Sequence, residues 1–297
     1  MEPLLQIIGL SKSYRDVTVL NNITLTINKG DIYGLIGKNG AGKTTLMKTL
    51  LGMTELTSGK YIYNGIENNS DFRKKCGAII ERPALYPSCS VLENMKRYSL
   101  IFGGTLEEIY KILSLVGMKE HKNKKASELS LGMKQRLGIG IALLGNPELL
   151  ILDEPVNGLD PTGIIEIRNL ILDLNKNMNT TVLISSHLLD ELSKIVSRYG
   201  ILDHGNLVEE ITSEDLKHIC KKKMIFHVDN VEKSCNLLNE KFGIRDILIE
   251  NNTIVLFSDF ENSARINKEL CYNGIQVFQV IINSESLEQY FVRKVAE

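Results

Sequence analysis

Residues 37–45, GKNGAGKTT, are the stretch of this 297-residue chain whose chemistry is easiest to infer. They fit the phosphate-loop pattern G-x-x-x-x-G-K-[ST], between a predicted buried strand and a segment with helical spacing. The glycines leave backbone N–H groups free for phosphate oxygens, and the following helix adds its positive end. Lys43 suits the β- and γ-phosphates of a nucleotide, and the Thr44 hydroxyl suits Mg²⁺. The residues expected around the phosphates are Gly37, Lys38, Asn39, Gly40, Ala41, Gly42, Lys43, Thr44 and Thr45.

Two adjacent acids, Asp153 and Glu154, end the segment ELLILDEP. The four apolar residues before them predict a buried strand, so both acids lie at its tip. Asp153 is suited to hold the water shell of the metal, and Glu154, pointing the other way, to take a proton from an attacking water. Alone, this segment could equally be a strand that ends in a solvated acidic turn. Combined with the phosphate loop, it indicates nucleotide hydrolysis.

The segment ASELSLGMKQRLGIGIALL predicts a second anion site. Ser130 occupies an N-cap-like position before an amphipathic helix predicted over residues 133–144, with Leu131 and Gly132 beside it. A hydroxyl and exposed N–H groups at a helix start can bind an anion. One chain has no need of two γ-phosphate sites. We therefore expect two copies to associate head to tail, with Ser130 of each copy closing the phosphate loop of the other.

Alternating strands and helices are predicted to position these residues in an α/β domain over residues 1–212. The first thirty residues are β-rich, and residues from about 86 to 145 predict a helical subdomain. Asp160 and Pro161 predict the N-cap and first turn of a later helix. Residues 213–297 have the order βαββαβ plus one helix, which suits a small ferredoxin-like or related α+β module. That module has no recognisable catalytic set, which favours a structural or docking role over ligand sensing.

Composition narrows the class of protein. A net charge of −1 gives no reason to expect nucleic-acid binding through bulk electrostatics. The five cysteines are scattered without metal-binding spacing, which indicates reduced thiols in the cytosol. The N-terminus lacks the pattern of a signal peptide. The longest apolar tract is interrupted at Asn146, Pro147 and Glu148, so we expect any work at a membrane to go through a partner.

The phosphate loop, LSLGM, LDEP, GLDP and SSH, in this order, resemble the ATP-binding cassette of ABC transporters over about residues 4–215. The resemblance implies an ABC-type P-loop NTPase: a RecA-like core with an antiparallel β subdomain and a helical subdomain, here followed by the α+β module. It also implies ATP and Mg²⁺ as cofactors, ATP hydrolysis, and an ATP-sandwich dimer of two copies. The expected partner is a separate integral-membrane permease at the cytoplasmic face of the cell membrane, with no nucleic acid.

The resemblance assigns roles to three further residues. Tyr14 matches the aromatic residue that stacks on adenine, although a packed tyrosine at a strand end explains it equally well. Asp160 matches the loop that signals across the dimer. His187 matches the histidine that contacts the γ-phosphate and holds the attacking water in place.

Two departures from the family pattern stand out. The signature is usually LSGGQ, and Leu131 and Met133 replace two of its residues here, while Ser130 and Gly132 are kept. The second departure is Glu81, which follows a predicted strand where the family normally has a glutamine that contacts Mg²⁺ and abuts the membrane partner. A carboxylate can also ligate Mg²⁺, but it repels the γ-phosphate.

Glu81, the run ERPALYP and the segment SLGMKQRLGI resemble one subgroup, the bacterial cassettes that confer immunity or resistance to lantibiotics and bacitracin-type peptides. The resemblance implies export or expulsion of an antimicrobial peptide. Three alternatives stay open at this point: export of another drug or of a lipid, a soluble ABC ATPase acting on ribosomes or DNA, and a regulatory module in which the C-terminal residues sense a ligand.

Overall fold

The computed structural model describes residues 2–67, 70–187, 189–283 and 286–296. It contains two compact units. The first runs to Ser213 and also includes the chain from Lys294 onward, and the second is Glu214–Arg293.

The strands of the first unit are β1 (Pro3–Tyr14), β2 (Val17–Asn28), β3 (Ile32–Ile36), β4 (Ser58–Tyr63), β5 (Ile66–Glu67), β6 (Cys76–Ile79), β7 (Leu149–Asp153), β8 (Thr181–Ser186), β9 (Arg198–Asp203) and β10 (Asn206–Thr212). Its helices are α1 (Lys43–Leu50), α2 (Val91–Phe102), α3 (Leu106–Leu115), α4 (Leu131–Ala142), α5 (Pro161–Met178) and α6 (Leu189–Leu192). Short 3₁₀ helices cover Ser70–Lys75, Lys119–His121 and Ala126–Glu128.

A six-stranded sheet in the order β10-β9-β3-β8-β7-β6 forms the centre of the first unit. All neighbouring pairs are parallel except β9 and β10. Strands β3, β7 and β8 are buried along their whole length, as expected for interior parallel strands covered on both faces. Because the strands β3, β8, β7 and β6 run in the same direction, their carboxyl ends meet at one edge of the sheet.

An antiparallel sheet in the order β2-β1-β4-β5 shares its apolar core with the central sheet. Leu5, Ile23 and Leu25 from this sheet belong to the same buried cluster as Leu35 of β3 and Leu46 of α1. The buried side of helix α1 packs into this cluster. The predicted α/β fold class with an antiparallel β subdomain is confirmed.

Helices α2, α3 and α4 form the helical part of the first unit. Ser90 and Thr105 start α2 and α3 with capping boxes, in which each residue exchanges hydrogen bonds with a glutamate three positions later. The predicted bounds of α4, 133–144, are wrong by two residues at each end. The Ser130 side chain accepts a hydrogen bond from the Met133 N–H at 3.3 Å, so the helix begins at Leu131.

The second unit contains β11 (Lys223–Val228), α8 (Val231–Phe242), β12 (Ile247–Glu250), β13 (Thr253–Leu256), α9 (Ser263–Tyr272), a 3₁₀ turn at Phe260–Asn262 and β14 (Val277–Asn283). It also includes α7 (Ser213–Ile219) from Glu214 onward and α10 (Leu287–Ala296) as far as Arg293. Its sheet is antiparallel with the order β12-β13-β11-β14, the arrangement of a ferredoxin-like βαββαβ unit. Met224 and Phe226 of β11 pack with Leu238 of α8 and Ile266 of α9 in its core.

None of the helices in the described residues is long and apolar enough to cross a membrane.

Close packing between α4 and the segment after β6 generates a first prediction. A Cβ added at Gly138 would lie 2.7 Å from the Pro83 side chain, whereas one at Gly140 would lie 3.4 Å from the side chains of Ile112 and Val116. We expect Gly138→Ala to lower the free energy of unfolding of the first unit by about 1–3 kcal/mol, because it overpacks this contact. Gly140→Ala should be neutral or slightly stabilising, because alanine favours the helix. Urea unfolding followed by circular dichroism measures both, and equal midpoints would contradict the packing argument.

Candidate nucleotide site

The carboxyl ends of four parallel strands bring the predicted residues together. The phosphate loop follows β3, His187 follows β8, Glu154 follows β7, and Glu81 follows β6 by two residues. Asp153 pairs with Ser185 in the register between β7 and β8. Ligands of open α/β sheets bind at this edge.

The phosphate loop wraps an open cleft of about 330 Å³. Gly42, at the N-cap of α1, has φ 108°, a conformation that glycine alone adopts easily. A Cβ at Gly37 would press on the carbonyl oxygen of Leu202, so glycine is needed there for packing. The residues that line the cleft are Val19, Lys38, Asn39, Gly40, Ala41, Gly42, Lys43, Thr44, Thr45, Glu154 and Asn157.

Lys43 places a nearly buried ammonium at the bottom of this cleft. Its Nζ donates to the carbonyl oxygens of Gly37 at 2.6 Å and Lys38 at 3.3 Å. It also lies 3.4 Å from Oε1 of Glu154. A buried ammonium must be compensated by acceptors or opposite charge, and all three partners here can yield to phosphate oxygens. Lys43 is therefore held where phosphates would arrive.

Thr44 and Asp153 bring together oxygen groups that suit Mg²⁺. The Thr44 hydroxyl donates to Oδ2 of Asp153 at 2.8 Å, and the Ser185 hydroxyl donates to Oδ1 at 2.6 Å. Within the described ranges, no group of three or more His, Cys, Asp or Glu side chains could hold a metal ion. Mg²⁺ needs no such group, because it is commonly bound through one or two carboxylates, phosphate oxygens and water. The oxygen ligands present thus fit Mg²⁺ bound together with a nucleotide.

Glu154 and His187 form a close pair beside Lys43. Oε2 of Glu154 lies 2.7 Å from Nδ1 of His187, and the Glu154 N–H donates to the Ser185 hydroxyl at 2.9 Å. Glu154 has φ 48°, in the left-handed region that glutamate rarely adopts. Such a backbone is held by its surroundings and often marks a functional position. The carboxylate is therefore fixed between a cation and an imidazole at the mouth of the phosphate loop.

Glu81 also has a left-handed backbone, with φ 62°, and its partner is Lys48 of α1. Nζ of Lys48 lies 2.7 Å from Oε1 of Glu81. This hydrogen bond raises the pKa of Lys48 and lowers that of Glu81. The side chain of Glu81 is 66% exposed, so it can move without disturbing the core.

Ser130, Gly132 and Asp160 form a separate group that does not line the cleft in the described residues. Ser130 caps α4, and the Asp160 side chain caps α5 by accepting from the Gly163 N–H at 3.2 Å. A Cβ at Gly132 would lie 3.8 Å from Leu159, so the starts of the two helices are neighbours. A single chain thus keeps its signature residues apart from its own phosphate loop.

Tyr14, predicted to stack on adenine, lies at the end of β1 and is 46% exposed. Its hydroxyl donates to Thr54 Oγ1 at 3.4 Å, and the Lys12 ammonium lies 4.6 Å from its ring centroid. The residue is not among those lining the cleft. Its exposed ring nevertheless remains available to a planar base.

Sequence analysis missed Ser185 and Lys48, which contact the predicted acids. Ser185 holds both Asp153 and the Glu154 backbone, and Lys48 holds Glu81. A hydroxyl directly after the apolar residues Val182–Ile184 was the available signal for Ser185. For Lys48, the signal was its position four residues after Thr44, on the same face of α1.

Comparison with known proteins agrees with this geometry. The sequence profile of the ABC transporter family matches residues 20–157. The chain is 39% identical to the bacitracin transport ATP-binding protein of Enterococcus faecalis over 295 residues, covering 98% of this chain and 96% of that protein. It is 42% identical to the lantibiotic transport ATP-binding protein of Streptococcus pyogenes over 226 residues, covering 75% of this chain and 98% of that protein.

Solved structures agree on the fold. A dimeric ATP-binding cassette bound to ADP and Pi superposes with a TM-score of 0.64 at 24% identity, covering 70% of this chain and 98% of that one. At this identity the similarity concerns the fold alone. The family assignment rests on the two transport ATP-binding proteins, which match over nearly their whole length. The chain belongs to the ABC transporter family, as an ATP-binding subunit that hydrolyses ATP.

Proposed function

We propose that this chain dimerises on two ATP molecules and powers a separate membrane permease that expels an antimicrobial peptide of the bacitracin or lantibiotic type. The observation that carries the ATPase part is the convergence of Lys43, Glu154 and His187 at one edge of the sheet. Nζ of Lys43 lies 3.4 Å from one oxygen of Glu154, and Nδ1 of His187 lies 2.7 Å from the other. The peptide class rests on the bacitracin and lantibiotic transport relatives and on Glu81.

We assign a task to each predicted residue at the carboxyl edge of the sheet. The phosphate loop, residues 37–45, binds the phosphates through backbone N–H groups and Lys43. Thr44 and Glu81 would hold Mg²⁺ and Asp153 would hold its water, and the ion would supply positive charge to the phosphates. Glu154 accepts the proton of the attacking water, and His187 contacts the γ-phosphate.

The second copy supplies what a single cleft lacks. Ser130 is exposed at the start of α4, and its hydroxyl and the first N–H groups of that helix can bind an anion. In an ATP-sandwich dimer, Ser130 and Gly132 of one copy would close the phosphate loop of the other. Asp160, beside them, would carry the signal between the two sites, and Tyr14 would stack on the adenine.

The surface next to Glu81 suits a permease. Tyr86, Tyr98 and Phe102 form a row with centroid separations of 5.9 and 6.2 Å, and Leu100 and Ile101 on the same helix have 87% and 72% of their surface exposed. Contiguous exposed apolar residues mark sites of protein or membrane contact. We assign this surface to the permease, which would place the chain at the inner face of the cell membrane.

Glu154→Gln tests the assignment of the general base. We expect the variant to bind ATP normally but to hydrolyse it about 10²–10⁴-fold more slowly, because the amide cannot accept a proton. It should accumulate as a dimer with ATP in size-exclusion chromatography. Glu107→Gln, an exposed glutamate paired with Lys111 on α3, is the matched control and should behave like the parent chain. Hydrolysis by Glu154→Gln at the parent rate would show that another group is the base.

The same variant allows a test of the sandwich. Adding Ser130→Arg to Glu154→Gln should leave ATP bound to single copies, because the bulky cation blocks the partner's cleft and spares the phosphate loop. A thermal melt checks that loss of the Ser130 cap has not unfolded the chain. A dimer that still forms with ATP would refute the proposed interface.

Glu81→Gln tests coupling. At saturating Mg²⁺ we expect the complex with the permease to hydrolyse ATP, because an amide oxygen can still face the metal. Cells carrying the variant should lose peptide resistance, because the variant lacks the negative charge of Glu81 that we propose links the metal site to the permease. Growth against bacitracin and nisin, alongside ATPase assays of the purified complex, measures both. Full resistance with the variant would contradict the assigned role of the charge.

Ile101→Asp tests the permease surface. A charge at Ile101, on the exposed apolar surface of α2, should sharply reduce co-purification with the permease and leave ATP binding unchanged. Val208→Asp, at an exposed apolar position on β10, serves as control. Normal co-purification of the Ile101 variant would place the permease elsewhere.

A further inference from the structure

Lys48 and Thr44 lie on one face of α1, four residues apart, so they project one above the other. Thr44 contacts Asp153 at 2.8 Å, and Lys48 contacts Glu81 at 2.7 Å. The helix thus presents a hydroxyl that suits Mg²⁺ and, one turn further along, an ammonium. A turn of helix is about 5.4 Å long. Glu81, the proposed metal ligand, is therefore paired with a cation on the same face of α1 as Thr44.

This ion pair has a direct consequence for a metal ion. The Lys48 ammonium and a Mg²⁺ ion at the same carboxylate would repel each other, so each would weaken the binding of the other. Mg²⁺ at a Mg–O distance of about 2.0–2.1 Å from Glu81 would therefore favour withdrawal of the ammonium. The pair is also weak enough to open: the Lys48 side chain is 35% exposed and that of Glu81 66%.

We propose that Lys48 is a positioning residue that competes with Mg²⁺ for the Glu81 carboxylate, so that the ion pair opens when Mg²⁺ binds with ATP. The proposal rests on the proposed role of Glu81 as a metal ligand. The competition would let the chain keep a carboxylate near the γ-phosphate. While Glu81 is paired with Lys48, the ammonium balances the charge of the carboxylate. When the pair opens, the metal ion would balance that charge instead. Lys48 thereby raises the metal concentration needed to load the site.

Metal binding in the presence of ATP tests this directly, without reading ATPase activity. In the Glu154→Gln background, binding of Mn²⁺ to the ATP-loaded chain is measured by electron paramagnetic resonance. Glu81→Gln should weaken Mn²⁺ binding. Lys48→Met should tighten it roughly two- to fivefold, the range expected for removing one exposed ion pair. In the Glu81→Gln background, Lys48→Met should have no effect, because there is no carboxylate left to compete for.

Lys60→Met is the matched control. Lys60 forms a similarly exposed ion pair with Glu67, at 2.6 Å, on the antiparallel sheet, and its loss should leave Mn²⁺ affinity unchanged. If Glu81→Gln weakens binding but Lys48→Met does not tighten it, or shifts it equally in both backgrounds, the competition is refuted while the metal role of Glu81 stands. If Glu81→Gln has no effect on Mn²⁺ affinity, the metal role and the competition both fall.

Discussion

The hydrogen bonds that fix the buried carboxylate of Asp153 are the constraint on which the site depends. One oxygen accepts from Thr44 and the other from Ser185, which joins the first turn of α1 to the ends of β7 and β8. A buried carboxylate without such partners would be costly, so each donor is needed by the fold as well as by the chemistry. Because Ser185 also accepts from the Glu154 N–H, the same network sets the backbone of the proposed base.

Two glutamates, Glu81 and Glu154, follow neighbouring parallel strands, and both have left-handed backbones. A conformation of this kind costs of order 1–3 kcal/mol for a residue other than glycine, so the surrounding contacts must maintain it. For Glu154 these contacts are Lys43, His187 and Ser185. For Glu81 the contact is the exposed Lys48 alone among the described ion pairs. Glu154 is therefore rigidly held, which suits a general base. Glu81 is free to exchange partners, which suits the proposed competition between Lys48 and Mg²⁺.

Much of the molecule followed from local sequence. The buried strands β3 and β7 were predicted, and Asp160 and Pro161 do start α5 as the N-cap and first residue. The family assignment and fold class were predicted from the order of short motifs and are confirmed. Ser130 was predicted as an N-cap and does cap α4, but the bounds of the helix were drawn from its apolar pattern and misplaced its start by two residues. The roles of the individual site residues remain predictions.

The sequence by itself determined which residues have the chemistry for phosphate, metal and water, because residue type and spacing fix a loop, a helix start or a strand tip locally. Only the tertiary structure decided which of them meet. Lys48 and Glu81 are 33 residues apart in the chain, and Ser185 lies 32 residues from Asp153. Such pairs depend on strand order and register in the central sheet, which arise from packing of the whole unit and leave no mark in either segment alone. The same packing keeps Ser130 out of its own chain's cleft.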